Sequence, residues 1–150
     1  EIDGIIDEEK TAAVVEAEEQ KWRRSLKLRN DQKLLFSIIN YCAPQPVFRE
    51  QGDLRYIYSG KAIYFTGIAN DAEFRNNLVR KYKILDSLKF ADHKNFSKLD
   101  VRQINNWAAK NPTAVIFTTE KDSKRLLQCS TLSESVKKRL FHIPIETVIV

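Results

Sequence analysis

Short apolar runs, each closing in a polar loop and followed by a helix-forming stretch, constrain this chain more than any other feature. Ala62-Ile63-Tyr64-Phe65-Thr66 stops at Gly67. Ile84–Phe90, the next strand, runs out into Ala91-Asp92, and Ala114-Val115-Ile116-Phe117 into two threonines. The last of these reads as the most convincing buried strand. Between them, Asp71–Lys81 is a helix candidate with Asn70 as cap and Glu73 as the reciprocal partner of a capping box. Ser97 caps a second helix through Trp107-Ala108-Ala109, which Asn111-Pro112 ends. Lys121–Leu127 and Val136–Leu140 are shorter helices, and Phe141–Val150 is a last extended segment. Strand, helix, strand in alternation is the α/β signature, and right-handed crossovers make the sheet mostly parallel. The expected fold is Rossmann-like α/β, a mostly parallel sheet flanked by helices and preceded by a helix and an extended β linker.

The linker and the first helix come from the opening third. Residues 7–28 contain no Gly and no Pro and are rich in Ala, Glu, Lys and Arg, which favour helix. Val15, Trp22 and Leu26 make one apolar stripe, with acids crowding the start and bases the end, as the helix dipole favours. Lys33–Ile39 reads as a strand, Ala43-Pro44-Gln45-Pro46 as extended chain, and Leu54–Tyr58 as a further short strand. The expected organisation is a helical segment over 1–29, an extended β linker over 30–60 and an α/β domain over 61–150. Trp22 and Trp107 sit at helical apolar positions and are expected in the core.

Composition narrows the function classes. No run of about 18 apolar residues is present to span a bilayer as a helix, and no basic start leading into an apolar core reads as a signal peptide. Cys42 and Cys129 lack metal-site spacing and read as reduced thiols packed like small hydrophobes. His93 and His142 are the only histidines, which supports no metal site. His142, within apolar Leu140–Ile145, is expected to be structural. Net charge is +5, unevenly spread: residues 1–20 hold eight acids and one base, a net −7, leaving 24 bases and 12 acids, a net +12, on the remainder. A basic body favours an anionic partner, and nucleic acid, an anionic membrane surface and a phosphorylated ligand all fit. RNP and helix-turn-helix patterns are missing, so nucleic-acid binding would rest on charge alone. The four glycines, at 4, 52, 60 and 67, exclude both a Walker A loop and a GxGxxG fingerprint.

Ligands in open α/β sheets sit at the carboxyl ends of the strands, which singles out three loops. In Thr66-Gly67-Ile68-Ala69-Asn70, Gly67 either lets backbone approach a ligand near a helix start or makes a plain turn with φ > 0. In Asp92-His93-Lys94-Asn95, His93 is either a proton-handling group, with an unperturbed pKa of ~6.5, or a solvated loop side chain. In Thr118-Thr119-Glu120-Lys121-Asp122, hydroxyls, acids and a base either contact phosphates or lock a helix start, with Thr119 as cap and Asp122 three residues on.

In this order and spacing the three loops resemble one family. Phe65-Thr66-Gly67-Ile68-Ala69-Asn70, Phe90-Ala91-Asp92-His93-Lys94-Asn95-Phe96 and Phe117-Thr118-Thr119-Glu120-Lys121-Asp122 look like the carboxyl-terminal half of tetraacyldisaccharide 4′-kinase, the lipid A 4′-kinase family. Gln32-Lys33-Leu34-Leu35-Phe36-Ser37 and the closing Leu140–Ile145 strand with Pro144 are also similar. Asp71 stands where the family commonly has Pro, and Ala91-Asp92-His93-Lys94 where it commonly has Pro-Asp-His-His. The family's P-loop, Mg²⁺-binding acidic motif and amphipathic membrane-docking region belong to an amino-terminal half not in this sequence, so the chain reads as a carboxyl-terminal fragment.

The resemblance implies ATP-dependent phosphoryl transfer to the 4′-hydroxyl of a tetraacyldisaccharide 1-phosphate, the lipid A precursor. ATP and Mg²⁺ would be bound mainly by the amino-terminal half. It implies catalytic roles for His93 and Asp92, and substrate or nucleotide contacts for Thr66, Gly67, Thr119, Glu120, Lys121 and Asp122. The implied partners are the anionic surface of the inner membrane, on its cytoplasmic face, and the P-loop half of the same protein. No nucleic-acid partner is implied. The fragment by itself would be inactive, because the nucleotide site is lost with the other half. The alternatives are a non-catalytic nucleotide- or phosphate-binding α/β module and a basic nucleic-acid-binding domain.

Overall fold

The computed structural model describes residues 8–91, 95–129 and 131–149. In chain order the elements are α1 (Glu8–Ser25), β1 (Ser37–Tyr41), β2 (Gln45–Pro46), a 3-10 helix (Leu54–Tyr58), β3 (Lys61–Thr66), α2 (Ala72–Val79), β4 (Lys83–Lys89), α3 (Lys98–Ala109), β5 (Val115–Thr119), α4 (Glu120–Leu126), α5 (Glu134–Arg139), β6 (Leu140–Ile143) and β7 (Ile145–Ile149). The larger of two compact units runs from Ile39 to Thr147, and α1 belongs to the other.

A five-stranded sheet in the order β2-β6-β5-β3-β4 organises the larger unit. β3, β4, β5 and β6 are parallel, and only the two-residue β2 runs antiparallel, against β6. The α/β expectation with a mostly parallel sheet is met. β1 and β7 form a separate two-stranded sheet. The last extended segment is therefore two strands, broken at Pro144, which has no N–H to give a ladder.

Both faces of the sheet are covered along its inner strands, which is why the middle of β3 and the start of β5 are apolar on consecutive residues. Ile63, Phe65, Ile116 and Leu140 point to one face, against Val101, Ile104 and Trp107 of α3, Leu126 of α4 and Val136 of α5. Ala62, Tyr64, Val115, Phe117 and Phe141 point to the other, where α2 contributes Phe74 and Leu78. Phe65 is the hub of the first face, edge-to-face with Phe90, Phe96 and Trp107 at 6.0–6.2 Å. Burying a side chain of this size contributes roughly 1.5–3 kcal/mol. Trp107 is core, as expected, and its Nε1–H donates to Asp86 Oδ2 at 3.0 Å. A register slip in β4, where Ile63 pairs with Asp86 and Leu85 is passed over, accompanies that bond. A bulge on an edge strand also discourages pairing with other chains.

The helices start where side chains supply acceptors. Ser97 accepts from the Asp100 N–H, and Asp100 accepts from the Ser97 N–H in return, a complete capping box. Ser133 does the same one-sidedly for α5. At α2, Asp71 takes the cap position without a side-chain cap bond, and Asn70 accepts instead from the Ala72 N–H at 3.0 Å. The capping box expected of Asn70 and Glu73 is thus replaced by a tighter turn one residue later.

Four expectations are corrected. Leu54–Tyr58 is a 3-10 helix, not a strand, because Asp53 accepts from the Arg55 N–H and grips its guanidinium, a local alternative to extended pairing. The strand placed at 33–39 lies at Ser37–Tyr41. Trp22 is 44% exposed on α1, and Cys42 is exposed, so neither is core. A stripe of three apolar positions in a helix this charged gives too little apolar surface to bury.

Candidate functional site

The sheet has one place where successive connections diverge. β3 leads into α2 on one face, while its neighbour β5 leads into α4 on the opposite face. A crevice opens at such a switch point, outside the carboxyl ends of the strands. Here the register shows it directly: β3 and β5 pair only through Ala62–Val115, Ile63–Ile116 and Tyr64–Phe117. β3 stays paired with β4 as far as Thr66, and β5 with β6 as far as Thr119. The two strands therefore separate beyond Tyr64 and Phe117.

Asp122 lies at the root of this gap, fully buried. Its Oδ2 accepts from the Gly67 N–H at 2.9 Å and from the Thr119 hydroxyl at 2.7 Å, and Arg125 Nη1 is 3.4 Å from Oδ1. The Thr119 hydroxyl in turn accepts from the Asp122 N–H at 3.1 Å and so caps α4. Gly67 permits a close approach and does not make a left-handed turn. Its φ is not positive, and a Cβ there would stand 3.0 Å from Asp122 Oδ1.

Above this latch is a cleft of about 580 Å³, contained in the larger unit. That volume lies in the range of small-molecule sites. One part of its wall is apolar, with Ile39, Ile68, Phe74, Ile143 and Ile145. The other part carries Asn70 and Glu73 from the β3–α2 side, and Thr119, Glu120, Lys121 and Lys124 from the β5–α4 side. Tyr41 completes the lining, its phenol pushed up from the ordinary range by burial and by the Glu73 carboxylate. An apolar floor with two cations and two carboxylates suits a ligand with an apolar body and a charged, hydrogen-bonding end.

The residues singled out in the sequence divide into groups. Thr119, Glu120 and Lys121 line the cleft. Thr66, Gly67 and Asp122 do not: Thr66 is buried with its hydroxyl 3.5 Å from Asp71 Oδ2, and Gly67 and Asp122 are bound to each other. Asp92 and His93 lie outside the described residues. The chain leading to them starts beside the site, since the Phe90 N–H donates to the Thr66 carbonyl at 2.8 Å. Sequence reasoning missed Lys124 and Tyr41 and took Glu73 only as a capping residue. The i, i+3 spacing of Lys121 and Lys124 on one helix was the available signal for Lys124.

His142 and Thr118 sit opposite each other in the β5–β6 register. Thr118 Oγ1 and His142 Nδ1 are buried with no hydrogen-bond partner. Burial pushes the His142 imidazole below its ordinary pKa. The Glu120 carboxylate opposes that shift, and Arg49 and Lys124 add to it. Among the described residues no group of three His, Cys, Asp or Glu side chains converges as a metal site would require.

The sequence matches the LpxK family, tetraacyldisaccharide-1-P 4′-kinase, over residues 3–149. It is 33% identical over 135 residues to the tetraacyldisaccharide 4′-kinase of Bacteroides thetaiotaomicron, covering 82% of this chain and 36% of that protein. It is 32% identical over 128 residues to the enzyme of that name from Phocaeicola vulgatus, covering 82% and 35%. A crystal structure of the "apo" form of LpxK from Aquifex aeolicus in complex with ATP is similar at a TM-score of 0.49 and 15% identity, over 82% of this chain and 34% of that one. The chain thus spans about a third of the length of the curated relatives it matches. A match running through nearly every residue, the three strand-end loops included, means that the chain belongs to the tetraacyldisaccharide-1-phosphate 4′-kinase family.

Proposed function

We propose that this chain is the carboxyl-terminal part of a lipid A biosynthesis kinase that transfers the γ-phosphate of ATP to the 4′-hydroxyl of a tetraacyldisaccharide 1-phosphate. The observation that carries the reading is the family match across residues 3–149 in a chain about a third as long as its relatives. On this reading residues 1–29, which contain α1, are a segment belonging with the amino-terminal half, 30–60 the linker and 61–150 the α/β domain. The P-loop and the Mg²⁺ ligands reside in the amino-terminal half. The four glycines of the chain, at 4, 52, 60 and 67, leave no Walker A spacing here and support that division.

Phosphoryl transfer asks a protein mostly for positioning and charge neutralisation. The 4′-oxygen attacks the γ-phosphorus, the bond from phosphorus to the β–γ bridging oxygen breaks, and ADP leaves. His93 takes the hydroxyl proton, a contribution of roughly 10²–10⁴-fold for a positioned acceptor, and Asp92 orients the His93 loop. Lys121 and Lys124, on one side of the cleft, offset phosphate charge when the two halves close, and Thr119 and Glu120 shape that side. The +12 body faces ATP, the acidic lipid and the anionic leaflet on the cytoplasmic side of a Gram-negative inner membrane. Among the described residues no helix is long and apolar enough to cross a membrane.

The test is an assay for 4′-phosphorylation with ATP, Mg²⁺ and the lipid acceptor, run on the 150-residue chain and on the protein that includes the amino-terminal half. Activity is expected only in the second. Turnover by the chain alone would refute the division of labour. ATP binding without turnover in both would favour a non-catalytic phosphate-binding module. Salt-sensitive binding to arbitrary nucleic acid, without turnover, would favour the nucleic-acid reading.

A further inference from the structure

We propose that Asp122 is a positioning residue: its carboxylate, bound to the Gly67 N–H, sets the spacing between the two lips of the cleft. The proposal rests on the kinase reading for its effect on turnover, but its geometric core does not.

Three observations converge on it. First, capping α4 does not need the carboxylate, because the Thr119 hydroxyl already accepts from the Asp122 N–H. The Asp122 side chain instead reaches a loop 55 residues away. Second, backbone conformation does not call for glycine at 67, whereas a Cβ there would crowd Asp122 Oδ1 at 3.0 Å. Within its own turn the Asp122 carboxylate meets the Thr119 hydroxyl and Arg125, but the bond to the Gly67 N–H is the one that leaves that turn. Third, the ladder between β3 and β5 ends at Tyr64 and Phe117, so beyond it the Gly67–Asp122 bond ties the two diverging strand ends. The residues next to the latch, Ile68 and Asn70 on one side and Glu120 and Lys121 on the other, line the cleft. Burying a carboxylate away from water carries a cost that a neutral cap would avoid, and the two donors on Oδ2 together with the Arg125 cation beside Oδ1 offset it.

The test uses the full-length parent protein with Gly67→Ala, Asp122→Ala and Asp122→Asn, and Leu126→Ala as control. Leu126 is fully buried on the same helix but faces the core. Spin labels on Asn70→Cys and Lys121→Cys, with Cys42 and Cys129 replaced by Ser, read the lip spacing without any chemistry. Gly67→Ala and Asp122→Ala are expected to shift or broaden that distance. Asp122→Asn, which keeps an acceptor oxygen, should hold it, and Leu126→Ala should leave it unchanged while lowering the melting temperature. In kinase assays below the melting point, the first two should lose about 10²-fold in kcat/KM, the scale of a 1 Å misplacement, and Leu126→Ala should lose none. An unchanged spacing in Gly67→Ala overturns the proposal. So does a turnover loss in the latch variants no larger than in Leu126→Ala at matched melting temperature. If the unsubstituted parent transfers no phosphate, the kinase reading fails, and the spacing measurement still decides the latch.

Discussion

Gly60 and Gly67 bracket β3, and a side chain at each would meet a different physical obstacle. Gly60 has φ +74°, and a Cβ added there would meet nothing within 4 Å, so its requirement is conformational. Gly67 has no such φ, but a Cβ would stand 3.0 Å from Asp122 Oδ1. Gly60→Ala should therefore cost about 1–2 kcal/mol from the left-handed backbone, and Gly60→Asn should recover part of it, since Asn tolerates that region. Gly67→Asn should show no such recovery over Gly67→Ala, because added bulk only worsens the contact. Urea unfolding midpoints of the four variants check the pattern.

Arg139 is 1% exposed and has no carboxylate beside it among the described residues. Its guanidinium donates to the carbonyls of Ala108, Asn111 and Ala114 at 2.8–3.0 Å, and to Ser135 at 3.3 Å. Ala108 lies in the last turn of α3, and Asn111 and Ala114 lead into β5, so the charge sits at the negative end of α3. Arg139→Met should remove donors from several buried carbonyls. Each orphaned group costs about 1–3 kcal/mol, reduced here because Ala108 and Asn111 also accept from Asn111 and Ala114 N–H groups. A loss of roughly 3 kcal/mol is expected. Arg139→Lys should recover little, since one ammonium cannot reproduce the planar fork. Denaturant titration measures both.

The apolar runs at 62–65 and 114–117 made the inner strands legible, because their brevity and their polar flanks, and not any period, separate a strand buried on both faces from a helix. The α3 and α4 starts were legible from Ser97 and Thr119, since a capping side chain acts within three residues. What was not legible is long-range. Nothing near Asp122 in sequence says that its carboxylate meets Gly67, and nothing near Arg139 says that a cation will be buried among carbonyls. Asp53 and Arg55 misled in the opposite way: an apolar pattern suited to a strand gave way to a two-residue side-chain grip. Trp22 was misread because helical spacing identifies a stripe but not whether anything covers it.

Lys121 is exposed on the cleft lip, and Lys124 lies one turn along. Lys121→Ala should leave stability within about 0.5 kcal/mol, as surface substitutions usually do. In the full-length protein it should lower kcat/KM for ATP or the phosphorylated acceptor. Loss of melting temperature in step with loss of turnover would assign Lys121 to holding the loop instead. Paired melting and steady-state measurements on one preparation separate the outcomes.

His142 gives the chain an acid-sensitive point. Burial, first, and the Arg49 and Lys124 cations hold its folded pKa below the unfolded value of about 6.5, against the pull of Glu120. The unfolded chain therefore takes up the proton first as pH falls. Its contribution to stability is complete above pH about 6.5 and is lost as pH drops from there through the folded pKa. Protonation would also place a donor on buried Nδ1, beside the Thr118 hydroxyl in the β5–β6 register. His142→Asn removes the titrating group, so the difference in unfolding free energy between wild type and variant should shrink as pH is lowered from 7 toward 5. A pH-independent difference would show that His142 has the same pKa folded and unfolded, and that its burial leaves no mark on stability.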